Sequence, residues 1–281
     1  MTFYSPLRYP GGKNRLAKFI SKICVDNNIN GHYIEPYAGG ASVALHLLIE
    51  KKINQITIND FDKSIYAFWY SVLNNTEKLC ELIEKTPINV NEWRKQKKIQ
   101  QNKMNSNLLE LGFSTFFLNR TNMSGIITAG PIGGFSQKGN YKIDCRFNKI
   151  ELIKKIKLIA SFKKQITLYN LDALELIKLI SSKSNNSNTL FYFDPPYFLK
   201  GPSLYMNSYK KEDHEKVANE IKGIKKMQWI VSYDNVEEVN QIYDWVKNKT
   251  KFTLIHNAHR ARIGKEILFF SDKLNTNYLE I

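Results

Sequence analysis

A short aromatic run that ends in an acid and two prolines is the part of this chain best suited to chemistry. Residues 191–198 read Phe-Tyr-Phe-Asp-Pro-Pro-Tyr-Phe, so an apolar run stops at Asp194, Pro195 and Pro196 and is followed by Tyr197. The prolines cannot donate ladder hydrogen bonds and therefore end the predicted strand. The sequence thus places a carboxylate, proline carbonyls and an aromatic ring together at a strand end.

These groups suit a reaction at a planar aromatic amine. The Asp194 carboxylate and the Pro195 carbonyl can accept both hydrogens of such an amine, while the Tyr197 ring stacks on the heterocycle that carries it. Two acceptors favour a pyramidal nitrogen and return electron density to it, which makes a poor nucleophile a better one. The alternative is a capped strand end with a surface aspartate and a tyrosine that only packs.

A second group of residues suits a ligand that carries an adenosine and an amino acid. Gly39 and Gly40 follow a predicted strand, where they let a helix N-terminus approach a ligand, and Asp60 lies about 20 residues later, where dinucleotide folds place an acid on the ribose. The chain has no complete P-loop or G-x-G-x-x-G motif. Lys13 can pair with a carboxylate and Tyr9 can supply a ring face, although residues 9–13 also fit an ordinary Pro-Gly turn.

The elements that must position these residues alternate between strands and helices. Strands are predicted at 33–37, 55–59, 166–169, 189–193 and 229–233, and helices at 43–52, 61–73, 172–181, 212–224 and 236–247. Strands at 251–256 and 266–270 predict a C-terminal antiparallel hairpin. This alternation is typical of an α/β sheet that binds ligands at its carboxyl strand ends. Residues 75–160 break the pattern and predict an insert between parts 1–74 and 161–281.

Composition narrows the class of partner. The chain has 41 Lys and Arg against 26 Asp and Glu, a formal charge of +15, which favours nucleic acid first and anionic membrane second. The alternative is a merely lysine-rich composition. Cys24, Cys80 and Cys145 match no metal-ligand spacing and are expected to be reduced thiols of a cytoplasmic protein, so we expect no metal. No apolar run approaches the roughly 18 residues needed to span a bilayer.

Taken in order, these blocks resemble the Dam-type (alpha-group) DNA adenine-N6 methyltransferases. The matching stretches are Arg8–Lys13, Glu35–Gly40, Asn59-Asp60, Leu118–Thr121, Asp194–Tyr197 and Gly264–Glu266. The resemblance implies an α/β fold: a Rossmann-like methyltransferase sheet with a C-terminal antiparallel hairpin and an inserted, mostly helical DNA target-recognition domain. It also implies S-adenosyl-L-methionine as methyl donor and the N6 amine of adenine in double-stranded DNA as acceptor.

The resemblance further implies roles for individual residues. It places cofactor contacts at Tyr9, Lys13, Glu35, Gly39, Gly40, Asp60, Asp172 and Asp194, and the target base at Asp194, Pro195, Pro196 and Tyr197. In the insert, Asn119, Arg120, Asn122 and Ser124 are candidates for DNA binding. For Asn119 and Arg120 the alternative is internal bracing of the insert.

Two departures from the family pattern limit what can be carried over. The family's Phe-x-Gly-x-Gly reads Tyr37 to Ala41 here, and an arginine often found after the Asn-Arg block is absent from residues 124–128, so the recognition sequence is not transferred. We expect base flipping and a prokaryotic cytoplasmic or nucleoid location. The sequence leaves open whether the protein has a cognate restriction endonuclease in a restriction-modification system or acts as an orphan methyltransferase. The alternatives are methyl transfer to RNA or to a protein amide, and a DNA-binding module without activity.

Overall fold

The computed structural model describes residues 3–8, 13–183, 187–198, 209–256 and 262–276. These residues form two compact units. The first unit is built from residues 3–8 and Asp62–Lys164, and the second from the described residues of Lys13–Phe61 and of 165–276. The predicted insert, residues 75–160, lies within the first unit, and its role as a separate DNA-recognition domain stays a prediction.

Within the described residues, the second unit contains a seven-stranded sheet. The strands are β1 (His32–Glu35), β2 (Gln55–Asn59), β3 (Ile166–Tyr169), β4 (Thr189–Phe193), β5 (Gln228–Asp234), β6 (Lys249–His256) and β7 (Arg262–Phe270), in the order β3-β2-β1-β4-β5-β7-β6. Strands β1 to β5 are parallel, whereas β7 is antiparallel to both β5 and β6. The predicted α/β sheet with a C-terminal hairpin is thus confirmed.

The strand order reverses at β1, which pairs with β2 on one side and with β4 on the other. Open α/β sheets bind ligands in the crevice at such a reversal, outside the carboxyl ends of the strands. We call the edge at which β1, β2, β4 and β5 end the carboxyl edge. The Gly39–Gly40 turn, Asp60 and Asp194 follow β1, β2 and β4 respectively, so all of them lie at this edge.

Ten α-helices lie in the described residues: α1 (Ala17–Asp26), α2 (Ser42–Ile49), α3 (Lys63–Asn74), α4 (Thr76–Lys85), α5 (Val90–Gln101), α6 (Leu108–Thr121), α7 (Lys149–Ser161), α8 (Ala173–Lys183), α9 (Lys211–Lys222) and α10 (Glu237–Ile242). One sheet face packs Phe191, Phe193 and Val231 against residues of α8, α9 and α10. On the other face, the Phe19 ring of α1 lies 6.4 Å from that of Phe270.

Helix α10 is shorter than predicted. It ends at Ile242, and the ring of the next residue, Tyr243, stacks on that of Phe269 with the ring centres 4.7 Å apart.

The first unit consists of helices α3 to α7 and their connections. Helices α3 and α6 approach closely at Gly112, where an added Cβ would lie 2.4 Å from the Ala67 carbonyl oxygen. Asparagines begin three of the helices: Asn89, Asn107 and Asn148 each accept a hydrogen bond from a backbone N–H three residues later. Such caps satisfy amides that the first turn of a helix leaves without intrahelical partners.

The described residues have three further properties. No helix there is long and apolar enough to cross a membrane. No group of three or more His, Cys, Asp or Glu side chains in that part of the chain is arranged to hold a metal ion. Cys24 and Cys80 are buried, and Cys145 is exposed.

Candidate active site

The turn after β1 and the acid after β2 form one wall of the candidate site. Asp60 Oδ2 accepts a hydrogen bond from the Gly39 amide at 2.9 Å. Gly39 has a φ of 45°, a conformation that glycine adopts without strain, and Gly40 follows it directly into the start of α2. The Asp60 carboxylate is therefore held beside the glycine turn, as the predicted ribose contact requires.

Asn59, the residue before Asp60, holds three strand ends together. Its side-chain nitrogen donates to the carbonyls of Pro36 at 2.9 Å and Leu171 at 3.0 Å, and its oxygen accepts from the Leu171 amide at 2.9 Å. Asp172 comes next along the chain and caps α8, because its Oδ1 accepts from the Leu174 amide at 2.8 Å. Asn59 thereby brings Asp172 to the same edge of the sheet as Asp60.

Glu35, the last residue of β1, is buried and is held by α2. Its Oε1 accepts hydrogen bonds from the Ala44 amide at 3.0 Å and from the Tyr33 hydroxyl at 3.2 Å. Burial raises the pKa of Glu35 to about 8, against the opposing effect of these two hydrogen bonds. A carboxyl group that is largely protonated at neutral pH is well suited to this internal position, and its predicted cofactor contact stays a prediction.

The acid after β4 is held by two side chains from other parts of the second unit. Asp194 Oδ1 accepts from the Ser232 hydroxyl at 2.7 Å and pairs with Lys13 Nζ at 2.9 Å. Because the Ser232 hydroxyl donates its hydrogen bond to Asp194, the Tyr192 hydroxyl, 2.9 Å away, acts as the donor to Ser232. The Phe198 amide donates to Asp234 Oδ1 at 3.1 Å, which fixes the far end of the Asp-Pro-Pro-Tyr turn.

Tyr197 is buried with its hydroxyl held from two sides. The hydroxyl accepts from Lys13 Nζ at 2.6 Å and donates to Glu266 Oε1 at 2.6 Å. Lys13 Nζ also lies 3.9 Å from Glu266 Oε2. Lys13, Asp194, Tyr197 and Glu266 therefore form one connected group at the carboxyl edge.

No role was predicted for Glu266, although it lies in the matching Gly264–Glu266 stretch. One sequence feature could have identified Glu266 as a site residue: it is an acid that directly precedes an apolar strand segment. That segment consists of Ile267, Leu268, Phe269 and Phe270, all of which are buried. His214 was also missed as a contact residue. Its Nδ1 lies 2.8 Å from the Tyr233 hydroxyl and its ring lies 5.1 Å from that of Phe198, so it packs beside the end of the Asp-Pro-Pro-Tyr turn.

Asn119 and Arg120, two of the candidate DNA-binding residues, contact other residues of the first unit. Asn119 accepts from the Arg8 amide at 2.7 Å and donates to the carbonyls of Arg8 and Gly125. The Arg120 guanidinium donates to the Arg146 carbonyl at 2.7 Å, and burial lowers the pKa of Arg120 to about 10. These contacts match the bracing alternative for both residues.

Asn122 is likewise buried, and it accepts from Trp93 Nε1 at 2.6 Å. Ser124 has a φ of 55° in the short helical turn that follows. DNA contacts by Asn119, Arg120, Asn122 and Ser124 stay predictions. Tyr9, the predicted aromatic contact to the cofactor, lies outside the described residues.

Comparison with known proteins decides the class of enzyme. Residues 9–262 match the family described as D12 class N6 adenine-specific DNA methyltransferases. This chain belongs to that family. It is therefore a DNA adenine methyltransferase that takes its methyl group from S-adenosyl-L-methionine, and the resemblance seen in the sequence is confirmed.

Individual relatives have low sequence identity to this chain, but they align with most of its length. The chain is 23% identical to the type II methyltransferase M.CviBI of Paramecium bursaria Chlorella virus NC1A, with 98% of this chain and 97% of the relative covered. It is also 23% identical to the type II methyltransferase M.MjaIII of Methanocaldococcus jannaschii, over 74% of this chain and 73% of the relative. Among solved structures, a putative RNA methyltransferase, PH1948 of Pyrococcus horikoshii, aligns with a TM-score of 0.42 at 10% identity, covering 96% of this chain and 86% of that one.

The carboxyl edge fits the methyl donor of this family. The donor carries a ribose, an amino acid and a positively charged sulfur, and this edge offers the Asp60, Asp172 and Asp194 carboxylates around a glycine turn. Acids at this edge suit hydroxyl donors and a cationic centre. The acidic side chains at this edge are therefore of the type that the methyl donor of this family needs.

Proposed function

We propose that Asp194, the Pro195 carbonyl and Tyr197 hold the target adenine after it has been rotated out of the duplex. The observation that carries this proposal is the two-sided anchoring of the Tyr197 hydroxyl, which keeps an aromatic ring in a fixed place next to a carboxylate. Rotating a base out of the stack costs a few kcal/mol, which a stacking partner and two hydrogen-bond acceptors help to offset.

Asp194 uses its two oxygens differently in this proposal. The hydrogen bonds and the ion pair that the described residues make to this carboxylate all involve Oδ1. Oδ2 is then the oxygen that accepts one N6 hydrogen, while the Pro195 carbonyl accepts the other. Pro196 keeps the turn rigid, so both acceptors are in place before the base arrives.

The bound donor supplies an electrophilic methyl group on sulfur. The N6 lone pair forms a bond to the methyl carbon as the carbon–sulfur bond breaks, and the electron pair of that bond stays on sulfur as S-adenosyl-homocysteine leaves. The alkylated nitrogen is strongly acidic and loses one proton to water, which restores a neutral amine. Asp194 and Pro195 assist by polarising and positioning the amine rather than by removing a proton beforehand.

For the cofactor we propose that Asp60 binds the ribose hydroxyls, that Gly39 and Gly40 allow close approach, and that Asp172 lies beside the nucleoside. Lys13 was predicted to pair with the cofactor carboxylate. Its contacts to Asp194 and Tyr197 support a different principal task, which is to hold these two side chains. A direct cofactor contact by Lys13, Glu35 or Tyr9 stays a prediction.

We further propose that the first unit reads the DNA sequence and that the protein works with a cognate restriction endonuclease. Two relatives that match most of their length to this chain are named type II methyltransferases. A prokaryotic cytoplasm or nucleoid is the compartment that we propose for this protein. Sequencing of modified adenines in a host that expresses the chain identifies the site, and protection of that DNA from a restriction enzyme cutting there tests the partnership.

The central test is Asp194→Asn, which keeps the shape of the side chain and removes its charge. We expect methyl transfer from labelled donor to duplex DNA to fall by roughly three orders of magnitude, as when a well-placed electrostatic group is lost. The variant should still fold, with a thermal midpoint lowered by the loss of the ion pair to Lys13. Glu238→Gln, the same chemical change at an exposed position of α10, is the matched control. Near-normal turnover by Asp194→Asn would end the assignment.

A further inference from the structure

The antiparallel strand β7 brings a buried acid, Glu266, to the carboxyl edge. Glu266 lies directly opposite Asp234 in the β5–β7 pairing, and β7 runs against β5, so position 266 reaches the edge at which β5 ends. The residue is 1% exposed. Burying a carboxylate is costly unless it is paired, so its partners indicate what the position is for.

Those partners both belong to the candidate active site. Oε1 accepts the hydrogen bond of the Tyr197 hydroxyl at 2.6 Å, and Oε2 lies 3.9 Å from Lys13 Nζ. Lys13 in turn donates to the same hydroxyl and pairs with Asp194. Glu266 therefore reaches the Tyr197 ring directly and the Asp194 carboxylate through one shared cation.

We propose that Glu266 is a positioning residue for methyl transfer, which holds the Tyr197 ring by its hydroxyl in the place where the target adenine stacks. This inference rests on the proposed role of Tyr197. A ring that is already fixed does not have to be ordered when the base binds. Less of the stacking energy is then spent on the entropy cost of ordering it.

The shared cation adds a second effect. One ammonium group lies among two carboxylates, those of Asp194 and Glu266. Without the charge of Glu266, Lys13 interacts more strongly with Asp194 and draws electron density from the carboxylate that must accept an amine hydrogen. Both effects act on the bound base, so we expect the rate of the chemical step to change and the affinities for donor and DNA to be kept.

The test uses Glu266→Gln in the full chain. We expect the single-turnover methylation rate to fall at least about tenfold, a modest part of what positioning can supply. Affinities for donor and DNA should match those of the wild type. With 2-aminopurine at the target position, the fluorescence decay of the protein–DNA complex should change, because a neutral amide oxygen accepts the Tyr197 hydrogen bond more weakly than a carboxylate does and holds the ring less firmly. Glu238→Gln should leave the rate, the affinities and the decay unaltered.

A double-mutant cycle tests whether Glu266 acts through the Tyr197 hydroxyl. Tyr197→Phe removes the hydroxyl that Glu266 holds, so adding Glu266→Gln to it should cost less than about threefold, far below the product of two independent losses. Losses that multiply fully would overturn the proposal. If Glu266→Gln does not fold, Tyr197→Phe alone removes the same contact, and a wild-type rate and decay in that variant would overturn it.

Tyr197→Ala distinguishes the proposed role of Tyr197 from that of Glu266. A wild-type rate in this variant would refute the proposed function of Tyr197 itself. A large loss in Tyr197→Ala combined with a wild-type rate in Glu266→Gln would refute only the role of Glu266, and the adenine site would stand.

Discussion

Single residues at the carboxyl edge carry distinct tasks, and Asp60 offers the sharpest test on the cofactor side. Asp60→Asn retains an oxygen for the Gly39 amide but removes the charge offered to the ribose. We expect the dissociation constant for S-adenosyl-L-methionine to rise about tenfold to hundredfold, since a hydrogen bond to a charged group contributes roughly 1.5–3 kcal/mol. Isothermal titration calorimetry measures it, with the exposed Asp272→Asn as control. An unchanged constant would remove Asp60 from the cofactor site.

Glu35 predicts a dependence of stability on pH. Its pKa rises from an ordinary value of about 4.5 to about 8 through burial, so between these values the folded protein holds a proton that the unfolded chain has lost. The contribution of Glu35 to stability is complete below pH 4.5 and is lost as pH rises through 8, by up to about 1.4 kcal/mol per pH unit.

Glu35→Gln cannot ionise and should remove this slope. In urea unfolding, the variant should gain stability relative to the wild type as pH is raised from 5 to 8, whereas Glu238→Gln should show no such trend. A difference that is constant with pH would mean that Glu35 is already ionised in the folded protein.

At the scale of elements, the contact between α3 and α6 predicts a cost for adding one methyl group. Gly112→Ala gains helix propensity of about 1 kcal/mol, but its Cβ would lie 2.4 Å from the Ala67 carbonyl oxygen. Backbone cannot give way as a flexible side chain can, so we expect a net loss of about 2 kcal/mol. Urea unfolding measures it. Gly130→Ala, where an added Cβ meets nothing within 4 Å, should change stability little, and equal effects would contradict the close packing.

Elements differed in how well the sequence predicted them. Strands β2, β3 and β4 begin and end as predicted, because each apolar or alternating run is followed by a residue that ends it: Asp60, Asn170 and Asp194. Helices α5 and α6 were not predicted individually within residues 75–160. Their signal was local: Asn89 and Asn107 each stand three residues before a glutamate and cap the helix that follows.

The group around Tyr197 was only half predictable from the sequence. Lys13, Asp194 and Tyr197 were identified individually, because glycine, proline and aromatic residues mark their turns. Their union with Glu266 depends on the pairing of Asp234 with Glu266 across antiparallel strands. A shift of one residue in that register would turn the acid to the opposite face of the sheet. Pairing between distant segments leaves no local pattern, so the contact had to come from the structure.

At the scale of the whole molecule, a formal charge of +15 is matched to a polyanionic substrate. The charge does not act uniformly. On α5, Lys97 donates to the carbonyls of Ile127 and Thr128 and so braces the first unit, whereas Arg94, Lys95 and Lys98 are exposed. Arg94 donates to Asn91 and Lys95 lies 3.3 Å from Glu92, but such exposed contacts are weak and can give way to phosphates. Lys97 is partly committed to its two carbonyls.

This distinction predicts how DNA binding responds to salt. Each phosphate contact contributes about 0.9 to the slope of log affinity against log salt, so replacing Arg94, Lys95 and Lys98 with Gln should lower the slope by roughly two to three. The control replaces Lys51, Lys225 and Lys226, three exposed lysines that precede β2 and β5 at the edge opposite the active site. Fluorescence anisotropy over a salt series measures both. Equal slopes for the two triple variants would mean that α5 presents its cations to solvent rather than to DNA.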